Sequence, residues 1–169
     1  MKRRILLVDD ERSIRESLRK LLQGDECEVV LAEDGQEAIA KHGLERIDLV
    51  LLDLNMPRQD GWAVLEWLAE INPLLPVIII TGRCHQSDLA EAAGADALME
   101  KPLDVPALLQ TIQDLLAESV ESRAQRVGQR VSHFRHLPCD GAAFRELQLK
   151  RFTTPYPCPG LDRPRPSDL

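Results

Sequence analysis

Aromatic side chains are scarce in this sequence and make up only 4% of its 169 residues. A core can still form because 44% of the residues are hydrophobic, so Leu, Ile, Val and Ala must supply most of it. No apolar run approaches the roughly 20 residues that a helix needs to cross a bilayer. The opening MKRRILLVDD has a short apolar run that ends at two aspartates, which is typical of a strand and not of a signal peptide.

Cysteine is also sparse. The 4 cysteines, at positions 27, 84, 139 and 158, lack the spacing of a disulfide framework. Cytosolic thiols are normally reduced, and we expect a cytoplasmic protein with no membrane contact.

Charge divides the chain at about residue 118. Residues 1–118 hold 12 basic and 23 acidic residues, a net charge of -11, whereas residues 119–169 hold 9 and 5, a net charge of +4. An acidic body disfavours nucleic-acid binding by the first part, and the basic remainder leaves that question open.

Short apolar runs alternate with amphipathic segments over the first 118 residues. This alternation predicts an α/β fold with a parallel sheet and helices on both faces. Capping boxes predict helix starts at Ser13 with Glu16 and at Asp34 with Glu37, and a further helix opens at Asp104. A third helix stops before Pro73, and a fourth ends at Gly94. The predicted strands are Ile5–Val8, Cys27–Ala32, Leu49–Leu52, Val77–Ile80 and Ala97–Met99.

Polar residues stand where these strands end. The first strand is followed by Asp9 and Asp10, the third by Asp53, the fourth by Thr81, and the fifth is closely followed by Lys101. The carboxyl ends of parallel strands share one edge, which is where ligands bind in such sheets. Three close carboxylates repel one another, and a hard cation that prefers oxygen ligands, such as Mg2+, relieves the repulsion.

A cleft with a cation, an ammonium group and a hydroxyl donor suits an anion rich in oxygens, and a phosphoryl group is the natural guest. Mg2+, Lys101 and Thr81 can share its oxygens. One carboxylate must then be the nucleophile, and Asp53 is the best candidate because its strand lies between the others.

Four segments carry a family resemblance: LLVDDE (6–11), VLLDLNMPRQDGW (50–62), VIIITGR (77–83) and GADALMEKPLD (94–104). Together they resemble the receiver domain of two-component response regulators of the chemotaxis-regulator type. The resemblance implies a doubly wound, flavodoxin-like sheet of five parallel strands in the order 2-1-3-4-5. It places the receiver domain at 1–118 and leaves 119–169 as an extension without a recognisable output domain.

The resemblance also implies roles for residues of the site. Asp53 accepts a phosphoryl group from a sensor histidine kinase or a phosphotransfer protein. Mg2+ is bound directly by Asp10, Asp53 and the backbone carbonyl of Asn55, and through water by Asp9. Thr81 binds phosphoryl oxygens.

Lys101 binds them too, and the peptide bond between Lys101 and Pro102 is expected to be cis. Met56, Pro57 and Gly61 shape the loop after the third strand, where glycine suits a tight turn. Receivers typically carry Tyr or Phe three residues before the lysine, but this chain has Leu98, which puts the usual aromatic switch in question.

Two other protein classes share parts of this pattern. A flavodoxin needs a phosphate-binding loop after the first strand, where this chain has an acidic Asp-Asp-Glu sequence instead. A haloacid-dehalogenase-type phosphatase places an Asp-x-Asp motif there, which this chain also lacks. The sequence therefore indicates a signalling phosphoacceptor that catalyses only its own phosphorylation and dephosphorylation.

The output of the extension is open. We expect Glu121–His136 to continue the fifth helix, and the prolines from Pro138 onward to favour extended chain. Segment 134–156 is rich enough in apolar residues to dock on the receiver or on a partner. We favour signalling through an unidentified protein target, with homodimerisation open; the alternative is a DNA-binding transcriptional regulator with a short output tail. We interpret a group of metal-binding side chains as incidental, because its spacing is not that of a zinc finger: His133, His136, Cys139 and Cys158.

Overall fold

Strands and helices alternate along the chain from residue 3 to residue 117 in the computed structural model, which describes residues 2–56, 61–128 and 134–138. The strands are β1 (Arg3–Val8), β2 (Cys27–Ala32), β3 (Leu49–Asp53), β4 (Val77–Thr81), β5 (Ala97–Glu100) and β6 (Arg135–Leu137). The helices are α1 (Arg12–Leu22), α2 (Gly35–Leu44), α3 (Gly61–Ile71), α4 (Ser87–Ala92), α5 (Val105–Ala117) and α6 (Val120–Gly128). No helix in these ranges is long and apolar enough to cross a membrane.

All strand pairs in the sheet are parallel, and the strand order is β2-β1-β3-β4-β5-β6. The predicted flavodoxin-like order 2-1-3-4-5 is confirmed. Within the described residues the sheet has six strands where five were predicted, because β6 pairs with the outer edge of β5.

Two hydrophobic clusters cover the two faces of this sheet. Along β1, Leu6 and Val8 belong to one cluster, whereas Ile5 and Leu7 belong to the other. Successive side chains of a strand point to opposite faces, so a strand covered on both sides must be apolar throughout. This explains the continuous apolar runs of the sequence.

Helix starts follow the local sequence in two of three predicted cases. Asp34 accepts a hydrogen bond from the backbone N–H of Glu37 at 2.9 Å, and Asp104 accepts one from Ala107 at 3.0 Å. The predicted pairing of Ser13 with Glu16 is wrong, since α1 begins at Arg12 with Glu11 as its N-cap.

The fifth helix does not continue into residues 121–136 as expected. It ends at Ala117, because Glu118 adopts an extended backbone with ψ of 131°. A separate helix, α6, begins at Val120, and the Ser119 hydroxyl accepts the N–H of Ser122 at 3.1 Å. Residues 129–133 and 139–169 lie outside the described parts of the chain.

Strand β6 is tied to both β5 and α5. Leu137 lies opposite Met99 in the sheet, and Phe134 packs against one of the two hydrophobic clusters. Arg135 donates to Asp114 at 2.6 Å, and this hydrogen bond lowers the pKa of the Asp114 carboxyl group. The first four residues of the predicted docking segment 134–156 thus contact the receiver, and residues 139–156 lie outside the described ranges.

Candidate functional site

The carboxyl edge of the sheet gathers the predicted polar residues. Asp53 is the last residue of β3 and Thr81 the last of β4, and both are buried. Lys101 directly follows β5. Its Nζ lies 2.6 Å from Oδ2 of Asp53 and 3.1 Å from Oδ2 of Asp9. The ammonium group therefore bridges two carboxylates that come from strands far apart in sequence.

Three carboxylates meet at this edge. Asp9, Asp10 and Asp53 each offer an oxygen atom, and these atoms all lie within 4.8 Å of one another. Burial raises the pKa of Asp9 to about 6, against the opposing effect of Lys101. Burial also disfavours the charged form of Lys101, but Asp53 and Asp9 outweigh it and raise the lysine pKa. The site thus concentrates negative charge that one lysine only partly balances.

Backbone N–H groups fix the orientation of both buried carboxylates. Oδ1 of Asp53 accepts the N–H of Asn55 at 2.8 Å, and Oδ1 of Asp9 accepts that of Glu11 at 2.8 Å. Each N–H comes from two residues further along the chain, so the turn after each strand holds its carboxylate. The remaining oxygen of both side chains is left to face Lys101.

Thr81 lies at the centre of a small hydrogen-bond network. Its hydroxyl oxygen accepts the N–H of Arg83 at 3.0 Å and the side-chain amide of Asn55 at 3.2 Å. The hydroxyl donates to Oε1 of Gln86 at 3.2 Å. The side-chain contacts of Asn55 and Gln86 with Thr81 were not predicted, because nothing in the sequence shows how the loop after β4 turns back.

Gly61 supports the site from α3. A Cβ atom at this position would lie 2.6 Å from the carbonyl oxygen of Asp53 and 2.7 Å from the Cα of Leu54. Glycine is therefore required for close approach of α3 to the end of β3, which differs from the turn predicted for it. Met56 is buried beside this loop, and Pro57 lies outside the described ranges.

Two further predicted positions can be located. The peptide bond between Lys101 and Pro102 is cis, as expected. Leu98 is fully buried in a hydrophobic cluster of the sheet. Of the residues considered for zinc, His136 instead lies 3.2 Å from Oε1 of Glu100; three others fall outside the described chain, namely His133, Cys139 and Cys158.

The sequence of residues 5–113 matches the family described as the response regulator receiver domain. The chain belongs to this family. Its receiver is 41% identical over 115 residues to the response regulator MprA of Mycolicibacterium vanbaalenii. The matched region covers 67% of this chain and 50% of that protein. The chain thus spans about half the length of the curated relatives it matches.

Solved receiver structures are similar throughout the fold. A CheY-like receiver domain protein from Methanospirillum hungatei has a TM-score of 0.66 and 30% identity, and covers 75% of this chain and 99% of its own. The response regulator TrrA from Thermotoga maritima, solved in complex with Mg2+-BeF, has a TM-score of 0.62 and 37% identity, with coverage of 68% and 99%.

Proposed function

We propose that this receiver accepts a phosphoryl group on Asp53 from a phosphohistidine of a sensor histidine kinase or a phosphotransfer protein. The observation that carries the proposal is the pair of contacts from Lys101 to Asp53 and Asp9. They place a fixed positive charge beside two carboxylates, each of which is held in position by the backbone turn that follows its strand. We take residues 1–118 as the receiver unit and residues 119–169 as its extension.

The reaction needs one bond to form and one to break. An oxygen of Asp53 attacks phosphorus, the bond from phosphorus to the imidazole nitrogen breaks, and the imidazole leaves with the electron pair. Lys101 and the Thr81 hydroxyl then bind oxygens of the transferred group. Their charge and hydrogen bonds stabilise negative charge that lies on those oxygens in the transition state.

The carboxylates fit a divalent cation. Three acidic oxygens within 4.8 Å of one another match the hard oxygen ligands that Mg2+ prefers. Asp10, Asp53 and the carbonyl of Asn55 would hold Mg2+ directly, and Asp9 through water. The bound cation supplies positive charge to the phosphoryl oxygens. The Mg2+-BeF complex of TrrA supports this assignment by similarity.

Signalling through protein contacts agrees better with the extension than nucleic-acid binding does. Arg123 lies 2.8 Å from Asp96 and Arg135 lies 2.6 Å from Asp114, so these two cations of the extension are already paired. Phosphate contacts would require those ion pairs to break. The protein target is still to be identified, and a second copy of this chain, in a homodimer, is one candidate.

A phosphorylation assay tests the proposal. Protein with Mg2+ and acetyl phosphate should gain one hydroxylamine-labile phosphoryl group, detected by intact mass. Asp53→Asn should abolish the gain because it removes the nucleophile. Asp25→Asn is the matched control, since this exposed aspartate lies between α1 and β2, away from the site. Equal labelling of the parent and Asp53→Asn would contradict the assignment.

A further inference from the structure

We infer that Gln86 is the switch residue that couples phosphorylation of Asp53 to helix α4, in place of the aromatic residue that Leu98 replaces. The inference rests on the proposed function and concerns how the site signals. Its central observation is the single hydrogen bond from the Thr81 hydroxyl to the side chain of Gln86.

The hydrogen-bonding capacity of the Thr81 hydroxyl is fully used in this structure. A hydroxyl group has one hydrogen to donate and two lone pairs that accept. Both lone pairs are occupied, by the N–H of Arg83 and by the amide of Asn55. The one hydrogen goes to Oε1 of Gln86. A phosphoryl oxygen can therefore receive a hydrogen bond from Thr81 only if Gln86 gives it up.

Gln86 also connects Thr81 to the start of helix α4. It is the N-cap residue of α4, and its carbonyl accepts the N–H of Ala90 at 2.9 Å. Its side chain does not cap the helix, since it reaches back to Thr81 instead. A change in the partner of Thr81 is thus transmitted directly to the first turn of α4.

Helix α4 is weakly held. It has 6 residues, and Ala90 is its only buried residue, whereas Leu89 is 62% exposed. His85, directly before Gln86, has a φ of 61°, a left-handed conformation that is strained for a residue other than glycine. Loss of the hydrogen bond between Thr81 and Gln86 lets this loop relax. Helix α4 then moves with the loop, because a short helix with few buried contacts opens at a low free-energy cost.

Leu98 cannot take part in the same exchange. Its side chain has no polar atom, and it is fully buried among apolar residues. Among the described residues, Gln86 is the side chain that accepts the Thr81 hydrogen. The polar link thus replaces the rotation of an aromatic ring as the output of Thr81.

Hydrogen exchange of the full chain tests the inference, with beryllofluoride and Mg2+ as the probe. In the parent protein, the probe should accelerate exchange of the α4 amides by about threefold to tenfold, which is the effect of losing one hydrogen bond. Gln86→Ala should show the faster exchange without the probe and no further change with it. Gln86→Glu keeps an accepting oxygen and should restore the probe-dependent change.

Gln110→Ala is the matched control, because Gln110 is exposed and its side chain bonds Asp114 on α5. It should behave as the parent does. If Gln86→Ala responds to the probe as the parent protein does, or if Gln86→Glu does not restore the response, the inference is overturned.

Fluorine NMR distinguishes a failure of this inference from a failure of the proposed function. If bound beryllofluoride is absent, or survives Asp53→Asn, the phosphoacceptor assignment and the inference both fail; if it binds at Asp53 while α4 exchange stays constant, only the inference fails.

Discussion

Arg123 of α6 and Asp96, the residue before β5, form a buried ion pair with an N–O distance of 2.8 Å. Their side chains are 6% and 8% exposed. The second carboxylate oxygen of Asp96 accepts the backbone N–H of Val77 at 2.9 Å. One carboxylate thus joins the extension to the starts of two central strands.

This pair predicts a large loss of stability when one partner is removed. Arg123→Met removes the cation of this buried ion pair, and the free energy of unfolding should fall by about 3 kcal/mol. Urea denaturation measures it. Arg19→Met breaks the exposed pair with Glu16 and should have a much smaller effect, because solvent and salt screen exposed ion pairs. Adding Asp96→Asn to Arg123→Met should recover part of the loss; an Arg123→Met protein as stable as the parent would show that α6 does not depend on this pair.

Gly61 and Gly43 predict opposite outcomes for the same substitution. Gly61→Ala places a methyl group against the backbone of Asp53 and Leu54, so it should destabilise the protein by about 1–3 kcal/mol and slow phosphorylation. Gly43 lies in α2 with nothing within 4 Å of an added Cβ. Gly43→Ala should therefore be neutral or stabilise by up to about 1 kcal/mol. Thermal unfolding and acetyl phosphate labelling of both variants check this, and equal effects would refute the close-approach argument.

Removing charge from the carboxylate cluster should weaken Mg2+ binding. Asp10→Asn replaces one anionic oxygen, and we expect calorimetry to show an affinity lower by roughly tenfold, with slower phosphorylation. Lys101→Ala removes the competing cation, so it should retain Mg2+ binding while impairing the response. Labelling that persists in the presence of a chelator would contradict a role for the metal.

His42 predicts a pH dependence of stability. Its ring lies edge-on to Trp67, with 5.5 Å between centroids, and burial lowers its pKa from the ordinary value of 6.5. The unfolded chain therefore binds a proton before the folded chain does, and the histidine's contribution to stability decreases as the pH falls below 6.5. His42→Leu should remove this part of the decrease. Asp9 titrates in the same pH range, so the contribution of His42 is obtained as the difference in the free energy of unfolding between the parent and His42→Leu. This difference should be measured from about pH 8 to about pH 5, the range of histidine titration. Parallel pH curves for the two proteins would refute the prediction.

The close approach of the polar strand-end residues could be predicted from the sequence, because a parallel sheet brings the carboxyl ends of its strands to one edge. Asp9, Asp53 and Thr81 each stand at a strand end, and the fold brings such ends to one edge without further information. Helix caps at Asp34 and Asp104 were predictable for a similar reason, since they depend on residues only three positions apart.

Features that depend on distant contacts were not predictable. Strand β6 has three residues, two of them polar, and forms because β5 offers a free edge. The break at Glu118 separates α5 from α6 without a proline or glycine at that position to signal it. The bond from Thr81 to Gln86 depends on the path of a loop that local patterns do not specify.

The direction of β6 determines where the rest of the chain starts. Since β6 runs parallel to β5, with Leu137 opposite Met99, the polypeptide leaves the sheet at the rim that holds Lys101. An antiparallel strand would have released it at the opposite rim, about 10 Å away for three residues at roughly 3.3 Å each. A fluorophore attached at Pro138 would therefore lie at the same rim as Lys101, three strands along the sheet from Asp53 on β3. This position is therefore a suitable one for monitoring the receiver's state in real time.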